Sequence, residues 1–180
     1  MCGSFFIPFT AGGIQMEHND EWYMHKAMTA ARWAAQLDEV PVGCVIVKHD
    51  KIIAWGWNSR EETQDPTGHA EIMAIRKAAE YLGSWRLDDC TMYVTLEPCC
   101  MCAGALVQSR VSRVVFGASD PKGGCVGSCL NVFSIPEFNH HPAVDSGCLQ
   151  TECGTLLRDF FRQKRQRTKQ KKKIQAGFGC

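Results

Sequence analysis

Two short stretches carry residues able to do chemistry together, Thr67-Gly68-His69-Ala70-Glu71 and Glu97-Pro98-Cys99-Cys100-Met101-Cys102. The first offers an imidazole and, two residues on, a carboxylate. The second offers two thiols with two residues between them, on what reads as the first turn of a helix. His69, Cys99 and Cys102 together make three zinc ligands. A structural zinc site is closed by four protein ligands, whereas a catalytic site keeps one position open for water. Glu71 stands close enough to a ligand to take a proton from such a water and pass it on. Zinc brings the pKa of bound water from about 15.7 to about 7. At ~1.36 kcal/mol per unit that is on the order of 12 kcal/mol toward a usable nucleophile.

Taken alone, a Cys-x-x-Cys is also a structural half-site or a redox pair, and a lone His-x-Glu carries little meaning. Their order is more specific. Pro98 precedes the first thiol, and 26 residues (72–97) separate Glu71 from Pro98, the arrangement of zinc deaminases. A zinc protein that only binds RNA would need neither the open position nor Glu71. Cys100 lies off the ligand spacing and reads as a packed or free thiol.

The elements that must hold these groups can be read on either side of them. From Asp20 to Leu37 a helical stripe of Met24, Ala27, Met28, Ala31, Ala34 and Ala35 faces a core, with Asp20 as a capping residue. Val42–Val47 reads as a buried strand, His49-Asp50-Lys51 as a turn, and Ile52–Trp57 as the hairpin partner. The polar stretch from Asn58 to Gly68 reads as a loop that delivers Asn58 and then His69. Asp65-Pro66-Thr67 signals a helix start, putting His69 and Glu71 in the first turn of a helix to about Gly83. Thr91–Leu96 is the next strand, Pro98 opens a helix, and its amide dipoles favour thiolates at Cys99 and Cys102. Val114–Gly117 is a further strand, and a glycine-rich loop from Ala118 to Ser128 carries Asp120 and Lys122. Residues 131–147 read as irregular, with His140-His141 at the surface. A last helix starts near Thr151, its apolar face formed by Leu156, Leu157, Phe160 and Phe161. Strands alternating with helices predict an α/β sandwich.

At 180 residues, 45% hydrophobic and 22% charged, the chain suits one soluble domain. No apolar run approaches the ~18 residues of a membrane span. Eleven cysteines, with metal-ligand spacing and no secretory signal, point to reduced thiols in a cytoplasmic protein rather than a disulfide framework. The net charge of +1 hides an asymmetry, because Arg162–Lys173 holds eight Lys or Arg and no acid. The body then carries 20 − 8 = 12 basic against 19 acidic residues, near −7. A basic tail on an acidic body suits a polyanionic partner met at one face, or serves as a solubilising appendage. Residues 1–15 read as a disordered or incidental extension, 16–172 as the domain with its basic helix, and 173–180 as a flexible tail.

With these motifs in place, the chain resembles the bacterial tRNA adenosine deaminase family, within the cytidine-deaminase-like fold. The resemblance runs from about Met16 to Lys172. It rests on Val40-Pro41-Val42-Gly43, Gly56-Trp57-Asn58, Asp65–Ala74, Tyr93–Ala105, Val115-Phe116-Gly117-Ala118 and Asp159-Phe160-Phe161-Arg162. Cys44 and Gly68 depart from it, standing where alanine is expected. Guanine and deoxycytidylate deaminases share the zinc pattern, but the Asp-Phe-Phe-Arg ending and basic tail favour the tRNA enzyme. The resemblance implies a three-layer α/β/α sandwich around a mixed sheet. It also implies a homodimer with one zinc per chain, held by His69, Cys99 and Cys102. The implied reaction converts the wobble adenosine of a tRNA anticodon stem-loop to inosine, with a zinc-activated water attacking carbon 6 of adenine and Glu71 shuttling the proton. Asn58 resembles the residue that hydrogen-bonds the flipped nucleoside, and otherwise is an ordinary turn residue. Asp120 resembles a contact to the anticodon ribose, and otherwise is also a turn residue. Backbone near Val42 and Pro98 is expected to frame the base.

Overall fold

The computed structural model describes residues 18–177. The amino-terminal extension expected over 1–15, and the last three residues of the expected tail, lie outside that range. The order of elements is α1 (Asp20–Gln36), β1 (Gly43–Lys48), β2 (Lys51–Trp57), α2 (Arg60–Thr63), α3 (Ala70–Leu82), β3 (Cys90–Leu96), α4 (Cys100–Gln108), β4 (Arg113–Ala118), β5 (Ala143–Ser146) and α5 (Gln150–Gly177). The strands form one sheet in the order β2-β1-β3-β4-β5. β1 is antiparallel to both β2 and β3, whereas β3-β4 and β4-β5 are parallel, so the sheet is mixed.

Alternation along the central strands divides the interior into two layers. Val45, Val47, Tyr93 and Val115 face Tyr23, Met24, Ala27 and Met28 of α1 and Cys153 of α5. Cys44, Ile46, Met92, Val94, Val114 and Phe116 face Ala70, Ala74 and Ala78 of α3 and Ala103, Leu106 and Val107 of α4. The result is the expected three-layer α/β/α sandwich. His49 and Asp50 both take positive φ (48° and 60°), which makes the β1–β2 connection a tight turn matched to strand twist.

Four local readings are revised. The cap of α1 is Asn19, whose side chain accepts from Trp22 N. Asp20 instead sits in the first turn and takes a bidentate pair from Arg113 at 2.9 and 2.7 Å, with Tyr93 donating to it at 2.7 Å. Ala35, placed on the core stripe, is exposed. The stretch 58–68 contains a helical turn, α2, and the irregular stretch 131–147 contains a 3-10 turn at Val132–Ser134 and strand β5. All four residues of β5 are exposed, so no hydrophobic alternation announces it. Its register comes from pairing with β4 and from Arg113 Nε donating to Asp145 at 2.7 Å. Of the histidine pair, His141 is exposed and His140 is half-buried, its ring nitrogen 2.7 Å from the Val111 carbonyl.

Candidate active site

His69 and Cys99 occupy equivalent positions in two different helices. Each is the N-cap, with extended backbone (φ −82°, ψ 150° and φ −74°, ψ 174°), and neither side chain caps its helix. Both side chains are therefore free to turn toward each other, and Cys102 joins them from the first turn of α4. Both thiols lie 3.6 Å from His69 Nδ1, and the three donor atoms are all within 4.8 Å of one another. Zn–N of ~2.0–2.1 Å and Zn–S of ~2.3 Å at a tetrahedral angle require N···S of about 3.6 Å. The trio fits a zinc ion in spacing and in donor type.

Placement of α3 depends on Gly56. A Cβ there would stand 2.0 Å from the Ala70 carbonyl and 2.8 Å from Ala74 N, so only glycine lets the start of the helix descend onto β2. Beneath the same turn, Cys44 donates its thiol to the Ala70 carbonyl at 3.6 Å. Ahead of it, the amide and hydroxyl of Thr67 both donate to Asp65 Oδ1 at 2.7 Å, closing the turn that leads into His69. These bonds hold the Asp65 carboxyl below its usual range, the Thr67 hydroxyl first among them.

Glu71 lies in the first turn of α3 with 4% of its surface exposed, and burial raises its carboxyl to about 7. Among the metal-type groups, the hydrogen bond with Cys102 lowers Cys99 to about 4, and the same bond raises Cys102. His69 is raised by its bond with Cys99. Without an ion the three groups thus share protons that a divalent cation would displace. The positive ends of α3 and α4 converge here and favour the same anionic ligand set.

The trio opens into a pocket of about 150 Å³ lined by Val40, Val42, Asn58, Glu71, Leu96 and Asp120 among others. That is small beside ordinary ligand pockets of ~300–1,000 Å³ and suits one base rather than a whole nucleotide. Of the six residues singled out from the sequence, five line this pocket, and Cys102 lies buried behind it in the trio. Asn58 is buried at 7% exposure, with its backbone N–H bonded to the Val42 carbonyl at 3.1 Å. Val42 lines the pocket as expected. Around Pro98 the lining comes from its neighbours Glu97 and Cys99, while the Pro98 carbonyl accepts from Cys125 N at 2.9 Å. Cys100 is exposed.

Two carboxylates that motif reading passed over do the supporting. Glu97, 3% exposed, accepts from the backbone of Asp120 (3.0 Å), Val126 (3.2 Å) and Ser128 (2.9 Å) and from the Ser128 hydroxyl. The whole glycine-rich loop is thereby folded over it, and Asp120 is carried to the pocket wall. Gly124 makes room, since a Cβ there would lie 2.3 Å from the carboxylate. Glu39 plays a similar part for the stretch that carries Asn58. The signal for both was an acid immediately before an apolar or proline-containing stretch, Glu39 before Val40-Pro41-Val42 and Glu97 before Pro98.

A mixed five-stranded sheet with a His/Cys/Cys group at two opposed helix starts defines a deaminase of the cytidine-deaminase-like class. The family model described as MafB19-like deaminase matches residues 18–165. A tRNA-specific adenosine deaminase of Bacillus subtilis (strain 168) is 50% identical over 154 residues, 86% of this chain and 96% of that protein. A solved structure from a study of A-to-I editing by tRNA:A34 deaminases at the wobble position superposes with a TM-score of 0.74 at 46% identity, covering 76% of this chain and 99% of the other. A guanine deaminase structure from Bacillus subtilis reaches a TM-score of 0.56 at 38% identity, over 68% and 78% of the two chains. The chain belongs to the tRNA-specific adenosine deaminase family.

Proposed function

We propose that this protein hydrolyses the wobble adenosine of a tRNA anticodon loop to inosine, with release of ammonia. The observation that carries the reading is the buried Glu71 facing the His69–Cys99–Cys102 trio in a base-sized pocket, in a chain half identical to a tRNA-specific adenosine deaminase. Zinc is the ion whose bond lengths the trio fits, and when bound it supplies a water of lowered pKa. Glu71 takes one proton of that water and gives it to the ring nitrogen next to carbon 6, where it stays; as the carbon–amine bond breaks, it carries the remaining hydroxyl proton to the amine, which leaves as ammonia. Its burial suits this work, because a carboxyl titrating near neutrality can both accept and return a proton. Asn58 and Asp120, both in the pocket lining, hold the nucleotide. Exchanging the exocyclic amine, a donor, for a carbonyl, an acceptor, changes the Watson–Crick edge of the base.

The basic half of α5 passes the same face. Lys164 and Arg167 pair with Asp38 (3.9 and 3.3 Å), one residue before Glu39 and two before the pocket residue Val40. A loop nucleotide of tRNA is already partly unstacked, so turning it into a pocket costs little, and phosphates around it meet this helix. Among the described residues no helix is long and apolar enough to cross a membrane. We assign the protein to the cytoplasm, where tRNA is found, as a homodimer with one zinc per chain. The test compares an anticodon stem-loop carrying adenosine at the wobble position with free adenosine and free guanine at matched concentration. Deamination of the stem-loop alone is expected. Efficient turnover of guanine, with the stem-loop untouched, would move the chain to the guanine deaminases.

A further inference from the structure

Glu39 stands in the connection between α1 and β1, 1% exposed, with no salt-bridge partner among the described residues. A carboxylate so buried needs hydrogen bonds in place of water, and it receives three. Glu61 N and Glu62 N donate to Oε1 at 2.7 and 2.8 Å, and Asn58 Nδ2 donates to Oε2 at 3.2 Å. The first two bonds satisfy amides at the start of α2. The third bears on the pocket. Both carboxylate oxygens serve as acceptors here, so Asn58 turns its NH2 group toward Glu39. Its Oδ1 is left for the pocket, where it has no protein donor among the described residues.

We infer that Glu39 is a positioning residue that fixes the hydrogen-bonding sense of Asn58, so that the pocket wall presents an acceptor and never a donor. The inference rests on the reading above in taking Asn58 as a contact to the nucleotide. Its consequence is selective. A nucleotide with a donor group opposite Oδ1 is held, and one with an acceptor there leaves two acceptors facing each other in a buried site, which such sites reject strongly.

The substitution Glu39→Gln separates this role from a purely structural one. The carbonyl of glutamine keeps the amides of Glu61 and Glu62. Its NH2 group then faces the NH2 group of Asn58, and Asn58 must turn its amide over, so the pocket wall becomes a donor. With the wobble-adenosine stem-loop as substrate, KM should rise about tenfold, equivalent to ~1.4 kcal/mol, while kcat changes less. In an Asn58→Ala background the same substitution should change KM less than about twofold, because the residue it acts through is gone. An equal rise in both backgrounds would mean that Glu39 only supports α2, and an unchanged KM in the single variant would also overturn the inference. Should Glu39→Gln not fold, the side-chain amide of Asn58 in the wild-type protein gives a second reading by 15N NMR, assigned through its disappearance in Asn58→Ala. Slowed hydrogen exchange at that amide is expected, and exchange as fast as that of a surface asparagine would overturn the contact. Wild-type protein inert on the stem-loop but active on guanine would defeat the proposed function alone, since the exchange measurement does not depend on the substrate.

Discussion

At the pocket, Glu97 gathers four hydrogen bonds from one loop and Glu39 three from another, and the metal-type donors sit 3.6 Å apart. Along α5, residues 161–171 are all exposed, and the ionic contacts of this stretch to the body are Lys164 and Arg167 with Asp38. The first region moves a proton at one atom and therefore needs its groups fixed from several sides. The second, in the proposed function, would meet a polyanion through charge that acts over a Debye length of ~8–10 Å, so individual side chains need no fixed place. Mutations should separate the two regions accordingly, sharp at the pocket and graded along the helix.

The largest effect is expected at the trio. His69→Ala or Cys102→Ala should lose both zinc and turnover, whereas Cys100→Ala, on an exposed thiol, should keep both. Glu71→Ala should keep zinc near one per chain while turnover falls by about 10³-fold, within the range of general acid–base groups. Zinc analysis beside an activity assay decides it, and loss of zinc in Glu71→Ala would contradict the proton-carrier role. A graded loss across these variants would erase the contrast between the regions.

The second effect is smaller and electrostatic. Truncation after Arg162 removes Lys164, Arg165, Arg167, Lys169, Lys171, Lys172 and Lys173 but leaves Phe160 in its packing. If about four of them meet phosphate, the log–log salt slope of stem-loop binding should fall by roughly 3, at ~0.7–0.9 per contact. An unchanged slope would leave the helix as a solvated appendage.

The smallest effect lies far from both regions. Arg113 holds the Asp20 carboxyl below its ordinary value. A depressed carboxylate contributes stability above its unfolded pKa of about 3.9, and that contribution disappears as pH falls through the folded value. Asp20→Asn should therefore lower the unfolding temperature slightly at neutral pH, by the ~0–1 kcal/mol of a surface pair. The gap to wild type should close in acid. A gap that widened in acid would reverse the assignment.

Much of the site was legible because its chemistry is local. His69 and Glu71 are two residues apart, and Cys99 and Cys102 share one helical turn, so spacing alone brings their types together. The helices were legible through periodicity and the central strands through short apolar runs, as in Cys44-Val45-Ile46-Val47. What spacing could not show depends on distant chain. The turn α2 forms where Glu39, more than twenty residues upstream, accepts its first amides. Strand β5 is exposed throughout and takes its register from β4 and Arg113. Asp20 looked like a cap until Arg113, 93 residues away in sequence, claimed its carboxylate. The support roles of Glu39 and Glu97 were invisible for the same reason, since an acid beside a strand names no partner.

The unused caps at His69 and Cys99 have a consequence for folding. Helix starts ordinarily carry Ser, Thr, Asp or Asn, and lacking such a side-chain cap costs ~1 kcal/mol per helix. By turning His69 and Cys99 toward each other, α3 and α4 forgo this stabilisation at both starts. An ion that binds only the folded chain returns it by mass action, ~4 kcal/mol when free metal stands at 1,000 times its dissociation constant. Folding and metal loading would then be linked. With such an ion bound, the unfolding temperature of the protein would rise with the free metal concentration.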